Sequence, residues 1–265
     1  MPLLLVDLDN TLIDRDAAFR TAVTVFLAGH GLPDTDVAWV LSVDASGYTA
    51  RDVVASALAH RYANVLPATA ISALLDCGGA AHVKLADATR KALLEAREDG
   101  WTCVIVTNGR AAQQEAKVRN AGLDRLVRGW VVSEAVGHKK PAPEIFRAAA
   151  DVAGLPLAGA WVIGDSPHAD IAAATALGLR SVWVSNGQSW SQQAYRPTHV
   201  AADAASAIDH ATRNDSGEPA RGTTPGSQQG RSMWENAVAG SRRRALRVPV
   251  DLHAPVTRLR TNCGK

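Results

Sequence analysis

A chain of 265 residues has room for one large domain or two smaller ones. Its apolar fraction of 47% is enough for a sizeable core, and its formal net charge of +2 does not by itself indicate a polyanionic partner. No apolar run is long enough to span a bilayer, and the acidic residue at position 7 argues against a signal peptide. We therefore expect a soluble, cytoplasmic protein without a membrane segment.

The first predicted strand, residues 3–6, is followed by a helical interval instead of a second strand. Within the interval 15–86 the sequence predicts four helices, at residues 17–31, 35–41, 49–63 and 68–76. The third is predicted to begin with an N-cap at Thr49 and has an acid three positions later, at Asp52. A helical insert directly after the first strand indicates a second, smaller domain over the edge of a sheet.

Beyond residue 86, apolar runs rich in Val and Ile alternate with helix-like stretches. Strands are predicted at residues 102–106, 130–132, 160–163 and 181–184. Helices are predicted at residues 87–100, 143–154 and 169–178. This alternation is typical of βαβ units, so the fold class is α/β with a parallel sheet covered on both faces.

The last fifty residues break this pattern. Residues 215–230 contain eight Gly, Pro or Ser among sixteen and have no apolar period, which predicts disorder for most of 214–265. Residues 205–265 hold 10 of the 28 basic residues and 5 of the 26 acidic ones, a net charge of +5. One alternative is therefore a non-enzymatic protein that binds nucleic acid or an acidic partner through this tail, although a nucleic-acid partner is the less favoured interpretation.

Polar side chains follow the predicted strands at their carboxyl ends, which lie at one edge of a parallel sheet. They are Asp7 and Asp9, then Thr107, Asn108 and Gly109, then Lys139 and Lys140, and finally Asp165 and Asp170. Carboxylates suit Mg²⁺, which would neutralise a phosphate ester for attack. A hydroxyl, a lysine and the backbone amides of a glycine turn can bind phosphate oxygens. The set indicates phosphoryl transfer.

The segments DLDNTLID, TNG, KKPAPEIF and GDSPHADI occur in this order and resemble the four motifs of the haloacid dehalogenase-like hydrolase superfamily. The resemblance covers about residues 1–212. It implies a Rossmann-like core at 1–14 and 87–213, with a helical cap of the first type at 15–86. It also implies a Mg²⁺-dependent phosphatase that acts on a small phosphorylated metabolite through an aspartyl-phosphate intermediate.

The resemblance further implies roles for individual residues. Asp7 resembles the nucleophile, and Asp9 the general acid and base whose backbone carbonyl binds Mg²⁺. Thr107, Asn108, Gly109 and Lys140 would bind the phosphate, with Lys140 preferred to Lys139. Asp165 resembles the metal-binding acid of the fourth motif and Asp170 its second acid, so the predicted metal set is Asp7, Asp9, Asp165 and Asp170. The cap residues of first interest are Arg15, Arg51, His60 and Arg61.

The same motifs distinguish some of the other activities within the superfamily. Dehalogenases resemble this pattern but lack an acid at the position of Asp9. The phosphonate-cleaving branch uses a cap lysine, and no lysine occurs between Met1 and Lys84. A phosphosugar mutase would use the same acids and remains an open alternative. The particular substrate and the oligomeric state are left open by the sequence.

Overall fold

The computed structural model describes residues 1–214, and its centre is a six-stranded parallel sheet with the order β3-β2-β1-β4-β5-β6. The strands are β1 (Leu3–Val6), β2 (Thr102–Thr107), β3 (Gly129–Val132), β4 (Trp161–Gly164), β5 (Arg180–Val184) and β6 (His199–Ala201). The α/β fold class and all five predicted strands are confirmed. The sequence missed β6, because His199–Ala201 is only three residues long and two of its three residues are exposed to solvent.

Ten α-helices are described in residues 1–214. They are α1 (Arg15–Gly29), α2 (Val37–Asp44), α3 (Arg51–Arg61), α4 (Ala68–Cys77), α5 (Asp87–Glu98), α6 (Ala111–Asn120), α7 (Ser133–Val136), α8 (Pro143–Ala153), α9 (Ala173–Ala176) and α10 (Ala204–Arg213). A π-helical turn, Pro167–Ala172, precedes α9. The predicted N-cap at Thr49 is wrong, because α3 begins at Arg51 after Ala50 and no side chain caps it. The side chain of Asp14 does cap α1, by accepting a hydrogen bond from the Ala17 amide.

Apolar side chains cover both faces of the sheet. Alternate residues of β1 point in opposite directions, so Leu4 and Val6 pack in one cluster with α5 and α10. Leu3 and Leu5 pack in a second cluster with α8. Because both faces of β1 are buried, the strand is apolar without interruption, and Asp7 is the first polar residue after it.

The helical insert after β1 has an apolar cluster of its own. Phe19, Leu27, Leu58 and Ile71, from three different helices, are at most 2% exposed and pack together there. A separate cluster is what a cap domain requires, and the boundaries proposed for it, 15–86, remain a prediction. All described residues belong to one compact unit.

Two further predictions concern membranes and the tail. The longest helix in the described part of the chain, α1, has 15 residues, and none of the helices there combines the length and apolar character needed to cross a bilayer. Apart from Asn214, the predicted basic tail, 214–265, lies outside the described residues.

Candidate active site

The carboxyl end of β1 presents Asp7 between two neighbouring strands. The Asp7 amide continues the sheet by donating to the carbonyl of Ile163, at 2.8 Å, and only 8% of the residue is exposed. The Thr11 hydroxyl donates to Asp7 Oδ2 at 3.2 Å and accepts a hydrogen bond from the Asp165 amide at 3.1 Å. Thr11 therefore links the first predicted motif to the fourth, although the sequence analysis did not assign it a role.

Lys140 lies at the centre of the site. Its ammonium nitrogen is 2.5 Å from Asp7 Oδ1 and 2.7 Å from Asp170 Oδ1, and its side chain is 3% exposed. Burial alone would lower the pKa of Lys140, but the carboxylates of Asp170 and Asp7 outweigh burial and raise this pKa above its ordinary value. Lys139 is exposed to solvent, so the structure brings the preferred lysine of the pair into the site.

A close approach of backbone and side chain allows Asp170 to reach Lys140. The side chain of Ser166 caps the π-helical turn, and the Ser166 amide donates to Asp170 Oδ2 at 3.1 Å. The Asp170 side chain therefore folds back over the end of β4. A Cβ atom at Gly164 would overlap the Asp170 carboxylate, which is buried and engaged with Lys140. Glycine is therefore required at the end of β4 for this arrangement.

Three of the four predicted metal ligands meet at this edge of the sheet. Carboxylate oxygens of Asp7, Asp165 and Asp170 lie within 4.8 Å of one another. Burial and the neighbouring carboxylates raise the pKa of Asp165, and burial raises the pKa of Asp7 against the opposing effect of Lys140. When all three carboxylates are ionised, the one ammonium leaves two negative charges without compensation. A divalent cation such as Mg²⁺ fits both this charge and these oxygen donors.

The side chain of Asp9 points to a different partner. Its two carboxylate oxygens accept hydrogen bonds from Lys117 Nζ at 2.7 and 2.8 Å, and Oδ2 also accepts one from Gln114 Nε2 at 2.9 Å. Lys117 is 3% exposed, and burial lowers its pKa. Neither of these two α6 residues was expected from the sequence. The carboxylate of Asp9 thus stands apart from the acidic cluster, and its predicted metal contact concerned the backbone carbonyl.

We expect Lys117→Met to lower the free energy of unfolding by about 1–2 kcal/mol, because it leaves Asp9 without its ammonium partner. The effect is held below that of a fully buried pair because Asp9 is 26% exposed. Chemical denaturation would measure this, with Arg119→Met on the same helix as the control, since Arg119 forms an exposed pair with Glu115 and should contribute little. The double variant with Asp9→Asn should lose less than the sum of the single changes; strict additivity would contradict a stabilising ion pair.

The predicted phosphate-binding segment at the end of β2 is held by hydrogen bonds. Thr107 is 1% exposed, and its hydroxyl oxygen accepts from Gln114 Nε2 at 2.6 Å. The Asn108 side chain accepts from the Lys140 amide at 2.8 Å and donates to the Lys140 carbonyl at 3.1 Å. The Gly109 amide donates to Ser133 Oγ at 3.0 Å, and a phosphate oxygen could replace that hydroxyl.

A cavity of about 860 Å³ lies between these residues and the helical insert. Of the four cap residues selected from the sequence, Arg15 and Arg51 line this cavity. Arg15 pairs with Asp44 through two hydrogen bonds of 2.5 and 2.9 Å. The other two are exposed on α3, where Arg61 pairs with Asp36 at 2.7 Å and His60 faces solvent.

The family model for haloacid dehalogenase-like hydrolases matches residues 4–184, which include every predicted motif. The chain belongs to this family. The family assignment made from the four motifs is therefore confirmed, together with the fold class.

Named relatives within the family match parts of the chain. A glyceraldehyde 3-phosphate phosphatase from Pyrococcus abyssi is 30% identical over 41% of this chain and 45% of its own length. A phosphoserine phosphatase from Thermus thermophilus is 37% identical over 36% of this chain and 38% of its own length. The matches thus span less than half of either relative.

A solved structure matches over a longer range. The structure of YfnB from Bacillus subtilis bound to magnesium has a TM-score of 0.64 with this chain at 23% identity. The match covers 77% of this chain and 95% of that one. At this level of identity the likeness demonstrates a shared fold.

Proposed function

We propose that this haloacid dehalogenase-like hydrolase is a Mg²⁺-dependent phosphatase that acts on a small phosphorylated metabolite. The observation that carries the proposal is the buried group of Asp7, Lys140 and Asp170 beside Asp165, in which one ammonium pairs with two of three clustered carboxylates. The phosphatase names of both curated relatives support the same reaction class. The cytoplasmic location expected from the sequence remains a prediction.

In this proposal Asp7 attacks the phosphorus atom of the ester. The Lys140 ammonium and the Thr11 hydroxyl each hold one oxygen of the Asp7 carboxylate, so the side chain is oriented before the substrate arrives. As the bond from Asp7 to phosphorus forms, the bond to the leaving oxygen breaks, and Asp9, which must be protonated for this step, donates its proton to that oxygen. Asp9 then removes a proton from water, which attacks phosphorus and releases inorganic phosphate and free Asp7.

The acidic cluster would hold the metal. Asp7 and Asp165 would bind Mg²⁺ with the backbone carbonyl of Asp9, and Asp170 would support Lys140 or a metal-bound water. When bound, Mg²⁺ would offset the negative charge that a phosphate ester adds to this carboxylate-rich site. Thr107, the amides of Asn108 and Gly109, and Lys140 would bind the phosphate oxygens.

Removing the metal should abolish the activity. We expect purified protein to hydrolyse an aryl phosphate with Mg²⁺, to lose this turnover in EDTA, and to regain it when Mg²⁺ is added in excess. Circular dichroism in both conditions would show that the fold persists. Equal turnover with and without EDTA would contradict the metal requirement, and no turnover in either condition, with a range of metabolite esters also tested, would contradict a phosphatase.

A phosphosugar mutase would use the same acids and differs only in the acceptor of the phosphoryl group. The two proposals are distinguished by adding a sugar phosphate to the reaction with Mg²⁺. A phosphatase releases inorganic phosphate with or without the added sugar, whereas a mutase transfers the phosphoryl group to the sugar and releases little phosphate.

A further inference from the structure

The cavity wall formed by α3 and the start of α6 carries two arginines from different parts of the fold. Arg51 is the first residue of α3 in the helical insert, and Arg110 is the residue before α6 in the sheet domain. Both line the cavity. Arg110 directly follows Thr107, Asn108 and Gly109, so one continuous segment joins the predicted phosphate site to this part of the wall.

The two guanidinium groups share one carboxylate. Arg51 Nη1 lies 3.3 Å from Asp76 Oδ1, and Arg110 forms an ion pair with the same oxygen. The Asp76 side chain is 57% exposed, on the solvent side of the cavity wall. The other terminal nitrogen of Arg51, Nη2, donates to the neutral side chain of Gln113 at 2.5 Å. Two positive charges are thus matched by one solvent-exposed negative charge.

Three of the other four cations that line the cavity are paired with acids of their own. Lys140 faces Asp7 and Asp170, Lys117 faces Asp9, and Arg15 faces Asp44, while Lys139 is exposed to solvent. The remaining acid in this part of the wall is Glu134, whose Oε2 accepts a hydrogen bond of 2.8 Å from the Ala111 amide.

The electrostatic effect of this arrangement is visible at Arg51. Burial lowers the pKa of Arg51, and the positive charge of Arg110 lowers it further against the opposing effect of Asp76. Because the two guanidiniums share one exposed carboxylate, positive charge is in local excess at this part of the wall. A negatively charged ligand group would relieve the repulsion between them.

We propose that Arg51 and Arg110 form a subsite for a second anionic group of the substrate, either a carboxylate or a second phosphate. The inference rests on the proposed phosphatase function and narrows its substrate class to esters with two anionic ends. Guanidinium groups present several N–H donors in one plane and bind carboxylate or phosphate oxygens in pairs. The phosphate to be cleaved would lie at Thr107–Gly109, and the second anion would lie toward α3.

Matched pairs of esters test this subsite. The first pair is 3-phosphoglycerate and glycerol 3-phosphate, which differ by a carboxylate in place of a hydroxymethyl group. The second pair is 1,3-propanediol bisphosphate and 3-hydroxypropyl phosphate. For wild-type protein with Mg²⁺, we expect kcat/KM to be on the order of 10- to 100-fold higher for the member with two anionic groups in at least one pair. The pair that shows the preference identifies the second anion.

Variants assign the preference to the two arginines. Arg51→Gln should lower the kcat/KM ratio within the preferred pair by about tenfold or more, and Arg110→Gln should lower it in the same direction. Arg51→Lys should retain part of the ratio because it keeps the charge. Arg119→Gln is the control, since this exposed arginine of α6 pairs with Glu115 and should leave the ratio unchanged.

Two results would overturn the subsite. One is a wild-type ratio near one in both pairs. The other is an Arg51→Gln protein whose turnover falls equally for both members, which would mean that Arg51 only joins α3 to α6.

Failure of the phosphatase proposal is detected separately, as an absence of turnover for every ester. In that case calorimetry would test the subsite, by measuring the affinities of the Asp7→Asn protein for the same pairs of esters. Tighter binding of the ester with two anionic groups, lost when Arg51→Gln is added to Asp7→Asn, supports the subsite. Equal affinities for the two members of each pair reject it.

Discussion

Asp7→Asn should slow aryl phosphate hydrolysis by about four orders of magnitude or more, because an amide cannot form the proposed aspartyl-phosphate and the change removes one carboxylate from the acidic cluster. Asn has nearly the shape of Asp and can still accept the Thr11 hydroxyl, so the fold should be retained. Initial rates at saturating Mg²⁺, together with denaturation curves, would measure both effects.

The control for this experiment is Asp124→Asn, an exposed acid outside the cavity, which should keep full activity. Residual activity of a tenth or more in Asp7→Asn, with deamidation excluded by mass spectrometry, would contradict the role of Asp7 as nucleophile. Trapping of phosphate on wild-type protein by acid quench, and its absence in the variant, would give independent support.

Lys140→Met should have the second large effect, on stability as well as on turnover. The change leaves the buried carboxylates of Asp7 and Asp170 without their ammonium, and removing one partner of a buried pair costs about 3–5 kcal/mol of unfolding free energy. Turnover should be lost because negative charge would repel a phosphate ester. Denaturation in EDTA and in Mg²⁺ would measure the stability change.

Added Mg²⁺ should recover part of the stability of Lys140→Met, since a divalent cation can compensate the remaining carboxylates. Lys139→Met, the exposed neighbour, should change the unfolding free energy by less than about 0.5 kcal/mol. A similar stability loss for both lysine variants would contradict the special position of Lys140.

The sequence predicted the sheet and the convergence of its polar ends because both depend on local pattern. Buried strands are short apolar runs, and a parallel sheet brings residues at their carboxyl ends to one edge. Asp7, Lys140 and Asp170 were therefore expected together, and the structure brings them into direct contact. The chemical roles assigned to them await the experiments above.

Residues whose importance depends on distant partners could not be found in this way. Lys117 lies in the polar helix AAQQEAKVRN, where a lysine is ordinarily solvated. Its burial follows from the position of Asp9, far away in sequence but 2.7 Å away in space. The same holds for Arg51: the sequence offered four cap residues of equal standing. The structure separates Arg51, which lines the cavity and donates to Gln113 of α6, from Arg61, which lies outside the cavity.

The strand order also has a consequence for how the chain is synthesised. The central strand β1 pairs with β2 on one side and β4 on the other, yet β4 emerges from the ribosome long after β2. Until then one edge of an entirely apolar strand is open, and open apolar edges recruit other chains. An interrupted chain that stops before Trp161 would lack this second partner for β1, so we expect such fragments to aggregate, and proteases and chaperones to recognise them as unfinished.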